Sequence, residues 1–271
     1  MSGHGDHWEC IYPSVEAFVT GRLPMLLEQL PLFAEQPWTD PAESPDGTAA
    51  DTLFALAERK GPLRHLVLVM GEKAKRSSIL VSAYPWAAEG TTHEVEIEAV
   101  LPWKYGIEGQ IRGVIADGPE VTFFDPLFFR NRSRYPIGAT LPVSFAALAY
   151  RVERPERDWV EVAGPTADLL RRPDDPPGPV KVYLTGAAIA LPSGGDEDDL
   201  SFYATVKAAE RFDFADQAVY RMQITLFCHE HMDIDMPLYA AARTLGDGFS
   251  PAPGDDITGA LWLQGRLLES A

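Results

Sequence analysis

Cys228-His229-Glu230-His231-Met232-Asp233-Ile234-Asp235 places a thiol, two imidazoles and three carboxylates in eight consecutive residues. These are the side chains that bind zinc and related divalent ions. Strand alternation sorts them. Ahead of the run, Tyr220, Met222, Ile224, Leu226 and Cys228 are apolar at even positions, while Arg221, Gln223 and Thr225 are polar at odd ones. A half-buried antiparallel strand has this period of two. Continued through the run, that register turns Cys228 inward and His229, His231, Asp233 and Asp235 outward. What remains is H-x-H-x-D, and alternate residues of a strand can converge on one ion. His229, His231 and Asp233 are the candidate ligands for a divalent metal. The plainer reading of the same residues is the solvated end of a strand.

Up to its last position the run resembles the H-x-H-x-D-H of metallo-β-lactamase-like hydrolases. The final histidine is replaced here by Ile234, and the neighbouring segments read as strands rather than a helix. A third imidazole would have to come from His4, His7, His65 or His93, all distant in sequence. Glu94, Glu96 and Glu98 form a row of carboxylates on one face of HEVEIEAVL. Catalysis by paired carboxylates needs unlike environments, and nothing local makes these differ, so they read as a solvent face. No G-x-S-x-G, Walker A or G-x-G-x-x-G run occurs, and no cofactor beyond a divalent metal is suggested.

A second candidate is an interaction surface at Phe128, Phe129, Arg130, Asn131, Arg132, Arg134 and Tyr135. Aromatic rings beside arginines are enriched at protein interfaces. The competing reading anchors the aromatics in the core and leaves the arginines in solvent.

These residues need elements to hold them. Ser14 can cap a helical stretch, VEAFVTGRLPMLLEQLPLF, which Gly21 and Pro24 divide in two. A short helix is expected over Ala50–Arg59. From residue 63 the pattern is β: LRHLVLVM, SILVSAYPW, and a strand burying Val95, Ile97, Ala99 and Leu101. TLPVSFAALAYRVE, 140–153, is apolar throughout and reads as a buried strand, with a helix as the alternative. RRPDDPPGPV, 171–180, holds four prolines and a glycine and reads as a linker or surface crossing. SGGDEDDL, further on, reads as an acidic turn. The stretches from 181 to 271 then supply about five more strands.

The expected fold is mainly β, with antiparallel Greek-key barrels of OB type and a short helical N-terminal segment. The expected units are 1–62 helical, 63–170 β-rich, 171–180 linker and 181–271 β-rich. GIEGQIRGVI and DITGALWLQGRL echo each other across the two halves, which hints at duplication.

The chain has 271 residues and a formal charge of −17, which disfavours nucleic acid and anionic membrane as partners. Two cysteines, Cys10 and Cys228, form no metal or disulfide pattern, as fits a reducing cytoplasm. No apolar run is long enough to cross a bilayer. The reading favoured is a cytoplasmic, non-enzymatic binding or adaptor protein with a protein partner. A metal-dependent hydrolase centred on His229 and His231 is the alternative.

Overall fold

The computed structural model describes residues 4–38, 51–72, 77–115, 118–171, 176–229 and 232–268. The molecule is mainly β, with most strand pairs antiparallel. Helical structure near the N-terminus runs in short pieces from Val15 to Gln29. Ser14 caps it as expected, its Oγ accepting the Ala17 amide at 3.1 Å. Gly21 lies in a widened turn, and Pro24 sits in the first turn of Leu23–Gln29, where a missing N–H costs no hydrogen bond.

Beyond Gln29 the described residues of the N-terminal segment are mainly strand, which corrects the helical reading of the stretch to Phe33, whose last two residues open a strand, and the helix expected over 50–59. β1 (Leu32–Trp38) and β2 (Asp51–Ala57) join β3 (Leu63–Glu72) and β4 (Ser77–Ala87) in an antiparallel meander. Leu53, Ala55 and Ala57 are all buried, which is strand alternation. Leucine and alanine favour helix in isolation, but β1 and β3 bind both backbone edges of β2 and override that preference.

The larger sheet contains β5 (Thr91–Pro102), β6 (Gly109–Ile115), β7 (Glu120–Phe124) and β8 (Thr140–Glu153). A separate ribbon of β9 (Trp159–Val162) and β10 (Val180–Tyr183) follows. The chain then returns with β11 (Ile189–Pro192), β12 (Asp199–Phe214), β13 (Gln217–His229), β14 (Met232–Ala241) and β15 (Asp256–Leu267). The proline-rich stretch 171–180 spans the last part of the connection between the paired strands β9 and β10 and ends on Val180, the first residue of β10. Its residues 172–175 are outside the described set.

The pairings close into two rings. One runs β5–β6–β7–β15–β8 and back to β5; the other runs β12–β13–β14–β8–β15 and back to β12. In each, the third strand of a meander meets the shared pair in parallel, β7 on β15 and β14 on β8. The halves β5–β8 and β12–β15 thus follow the same path, and each completes its ring with the other's last strand. The first strand of each half is bulged at a similar place, between Ile97 and Ala99 and between Val206 and Ala208. The sequence echo that hinted at duplication falls on β6 and β15, which are not equivalent strands. The repeat lies in the strand order instead.

β8 and β15 are apolar on both faces because both faces are covered. Phe145, Ala147 and Leu263 belong to the cluster that fills the rings, with Ile97, Ile111 and Met236. Ala146, Leu148 and Trp262 belong to a second cluster, with Trp8, Phe18 and Leu66 of the N-terminal segment and first sheet. Burying a large apolar side chain contributes about 1.5–3 kcal/mol, so this two-sided pair is the seam on which the fold depends.

Candidate functional site

The strand carrying the H-x-H-x-D run does not continue through it. β13 ends at His229, β14 begins at Met232, and His229 pairs with Met232. His231 falls outside the described residues. A bulge between Thr225 and Phe227 also shifts the register. Met222, Ile224 and Leu226 point inward as the alternation requires, but beyond the bulge Phe227 packs against the core and Cys228 is exposed. The inward Cys228 expected from alternation is therefore corrected. A bulge adds one residue to one strand and exchanges its faces.

Asp233 and Asp235 share a cation already. Lys207 Nζ lies 2.9 Å from Asp233 Oδ2 and 2.7 Å from Asp235 Oδ1, and Thr225 Oγ1 donates to the latter oxygen at 2.7 Å. His93 reaches the other side of the strand, its Nε2 donating to the Asp235 carbonyl at 2.9 Å. Among the described residues, no three His, Cys, Asp or Glu side chains converge as metal ligands would.

The chemistry-bearing groups that do converge lie where the two halves meet. SGGDEDDL, read as an acidic turn, sends three of its four carboxylates to different fates. Glu197 stays outside and pairs with Arg112 at 2.6 Å. Asp198 is fully buried, accepting from Trp262 Nε1 at 2.9 Å and Gln110 Nε2 at 2.7 Å. Asp199 accepts the Tyr150 hydroxyl at 2.8 Å. Tyr150 in turn accepts from His7 Nδ1, and the His7 ring lies flat on Trp262, centroids 4.0 Å apart. Tyr150 is the unpaired residue of a β8 bulge, between the pairs Ala260–Arg151 and Leu261–Ala149. The bulge re-aims its side chain away from the ring interior, towards His7.

Burial governs the titration of this cluster. It pushes the Asp198 carboxyl up to about 7 and the His7 imidazole down to about 3. A buried carboxylate prefers its neutral form and a buried imidazole its uncharged form. The remote half carries a counterpart. Gln110 of β6 reaches Asp198 just before β12, and Arg221 of β13 reaches Glu89 just before β5, at 4.0 Å. These are equivalent strands and equivalent entries, so the two halves clasp each other reciprocally.

A second polar chain ties the N-terminal segment to the first sheet. Glu58 takes the His65 amide and the His65 Nδ1–H, each at 2.6 Å, and Tyr12 hydroxyl meets His65 Nε2 at 2.8 Å. Burial alone would raise the Glu58 carboxyl, but the His65 hydrogen bonds hold it below its ordinary value. Burial pushes the Tyr12 hydroxyl up to about 12, so it stays protonated and keeps its proton for the bond to His65 Nε2. Glu58→Gln replaces two charge-assisted bonds by neutral ones and is expected to cost about 1–3 kcal/mol. Denaturant melts measure this, and limited proteolysis should cut the variant faster within residues 4–30. Unchanged melts and cleavage would show that the chain is not a staple.

The structure divides the stretch 128–135. Phe128, Phe129, Asn131 and Tyr135 are buried, around the Asp125 carboxylate. Asp125 accepts from the Leu127 amide at 2.8 Å, Asn131 Nδ2 at 2.9 Å and the Tyr135 hydroxyl at 2.7 Å. Arg130, Arg132 and Arg134 are exposed. Arg130 and Arg132 lie over the rings of Phe33 and Trp38 in β1. The aromatics anchor the loop, Arg130 and Arg132 bind it to the first sheet, and Arg134 bonds Asn131 and the Leu268 carbonyl.

Sequence reading missed Asp198, His7 and Tyr150. Their polar neighbours Gln110 and Trp262 sit on other strands, and no local spacing marks them. It also missed a cavity of about 320 Å³ between β6–β7 and β11–β13. Arg112, Glu120 and Thr122 line one side, and Pro192, Leu200 and Phe227 the other. Arg112 is held between Glu197 and Glu120, the latter at 3.8 Å. No family model, curated protein or solved structure matches the chain.

Proposed function

We propose that this chain is a non-enzymatic, cytoplasmic binding protein that receives a segment of a protein partner in the cavity beside β7, on the outside of an OB-like ring. The observation that carries this reading is the composition of the cavity: an apolar wall of Pro192, Leu200 and Phe227 faces the charged side chains of Arg112 and Glu120. Binding sites pair an apolar surface with a few placed polar groups that set orientation. The formal charge of −17 argues for a protein over a polyanion. The buried polar groups support a non-enzymatic role, since Asp198, Asp199, Tyr150 and Glu58 are engaged in bonds that join elements.

A photo-crosslinking amino acid at Thr122, in the cavity wall, tests this in cells. The expected result is a discrete light-dependent protein adduct, absent when the same group replaces Glu94 on the exposed face of β5, and lost on adding Phe227→Asp. No adduct, or the same adducts from both positions, would sink the reading.

A further inference from the structure

Arg64 of β3 and Arg266 of β15 bring two half-buried guanidinium groups to one rim of the first sheet. Each is aimed by a backbone carbonyl. Arg64 Nε donates to the Gly61 carbonyl at 3.1 Å, and Arg266 Nη2 to the Ala88 carbonyl at 3.1 Å. The chain closes between those two points, where the Ala88 amide donates to the Pro62 carbonyl at 2.8 Å. Trp86 pairs with Arg64 across β3 and β4, and the Arg64 guanidinium lies over its ring, 5.0 Å from the centroid.

Two like charges fixed side by side in a half-buried place call for an anion. Among the described residues neither arginine makes an ion pair. Glu58 and Glu89 act on Arg64 only from beyond that range. Glu58 is engaged by His65, and Glu89 lies 4.0 Å from Arg221. Burial, and after it the Arg266 charge, lowers the Arg64 guanidinium below its ordinary value. Two donors on the same rim are also unmet: Arg266 Nε and Trp86 Nε1 are buried, with no acceptor among the described residues. Folded proteins leave few buried donors in that condition.

We propose that Arg64 and Arg266 bind a phosphate group at this rim, with Trp86 as the platform that fixes the Arg64 plane. Guanidinium forks match the spacing of phosphate oxygens. Stacking on an indole ring leaves the N–H groups of the fork in its plane, clear of the ring. The charge count selects phosphate over carboxylate: a carboxylate would compensate one arginine, and a phosphate dianion compensates both. It also selects a single group over a polyanion. The formal charge of −17 repels a long anion along its length, whereas one small anion meets the local field of the two arginines. The site shares no residue with the cavity beside β7.

Isothermal titration of the full chain with inorganic phosphate, at about pH 8 in chloride of matched ionic strength, tests this. The wild type is expected to take one phosphate per chain with a Kd on the order of 1 mM or tighter. Arg64→Gln and Arg266→Gln should each weaken binding about tenfold or more, while still melting cooperatively in chloride. Arg64→Lys keeps the charge without the fork and should fall between. Arg157→Gln is the control, since Arg157 also stacks on an indole, 5.0 Å from the Trp159 centroid, and it should bind as the wild type does. O-phosphoserine in place of inorganic phosphate separates the sources. Tighter binding supports a phosphate carried on another molecule, and equal binding supports the free anion. A wild type that takes up neither overturns the proposal. So do glutamine variants at 64 and 266 that bind like the wild type, or a loss at Arg157→Gln as large as theirs.

Discussion

Asp198→Ala is expected to lower the unfolding free energy at pH 5 by about 2–5 kcal/mol. The substitution leaves Trp262 Nε1 and Gln110 Nε2 buried without an acceptor, and an orphaned buried donor costs about 1–3 kcal/mol. The pH dependence carries a definite sign. Burial places the folded carboxyl's midpoint at about 7, against an ordinary value of 3.8. Between those values the folded state holds a proton that the unfolded state has lost. The contribution of this group is therefore complete below about pH 4 and is lost as pH rises through 7. Ionising it inside the fold costs on the order of 4 kcal/mol. The variant lacks this group, so its deficit should shrink as pH climbs from 5 to 8. His7, Glu108 and Asp125 titrate in both proteins and cancel in the comparison. Denaturant melts of the two proteins at several pH values read the difference directly. A deficit that grows with pH, or none at pH 5, would contradict the assignment of Asp198 as a buried junction between the halves.

Gly259→Ala should be as damaging for a purely steric reason. A Cβ at Gly259 would lie 1.9 Å from the Arg151 carbonyl oxygen and 2.8 Å from its carbon. Both are backbone atoms of β8, in the seam that both rings share, so neither strand can retreat without opening a ring. Overpacking in a close-packed interior costs about 1–3 kcal/mol where side chains can yield, and more is expected where backbone must move. The loss is set at about 3 kcal/mol or above. Gly21→Ala is the control: nothing lies within 4 Å of its Cβ position, and alanine favours the helical conformation there. Thermal melts should separate the two variants widely. Equal melting temperatures would mean that β8 and β15 approach less closely than described.

Much of the architecture was legible in local pattern. Ser14 announced the helical stretch, and Gly21 with Pro24 announced its interruption. Val95 and Ile97 fixed the buried face of β5, and the largely apolar run 140–153, read as a buried strand with a helix as the alternative, is strand β8. The failures share one cause. Residues 51–57 have helix-forming composition, and only two flanking strands make them β2. Alternation along β13 placed Met222, Ile224 and Leu226 correctly and failed at Cys228, beyond a bulge. A bulge is a property of two paired strands, and one strand's sequence does not display it.

The candidate sites follow the same division. H-x-H-x-D was conspicuous because its members lie close in sequence, but β13 ends at His229, which pairs with Met232 of β14, and Lys207 from β12 binds the carboxylates that follow. Asp198 read as one more acid of the turn in D-E-D-D. Its burial depends on Gln110 and Trp262, which lie 88 and 64 residues away. Sequence alone determined what short-range periodicity and net charge can encode: the β character, the helical start, the inward face of each strand between bulges, and an acidic surface. The tertiary structure alone decided ring closure through β8 and β15, the strand exchange between halves, and which carboxylate is buried. Those outcomes depend on contacts between residues far apart in the chain, and such contacts leave no period in the sequence.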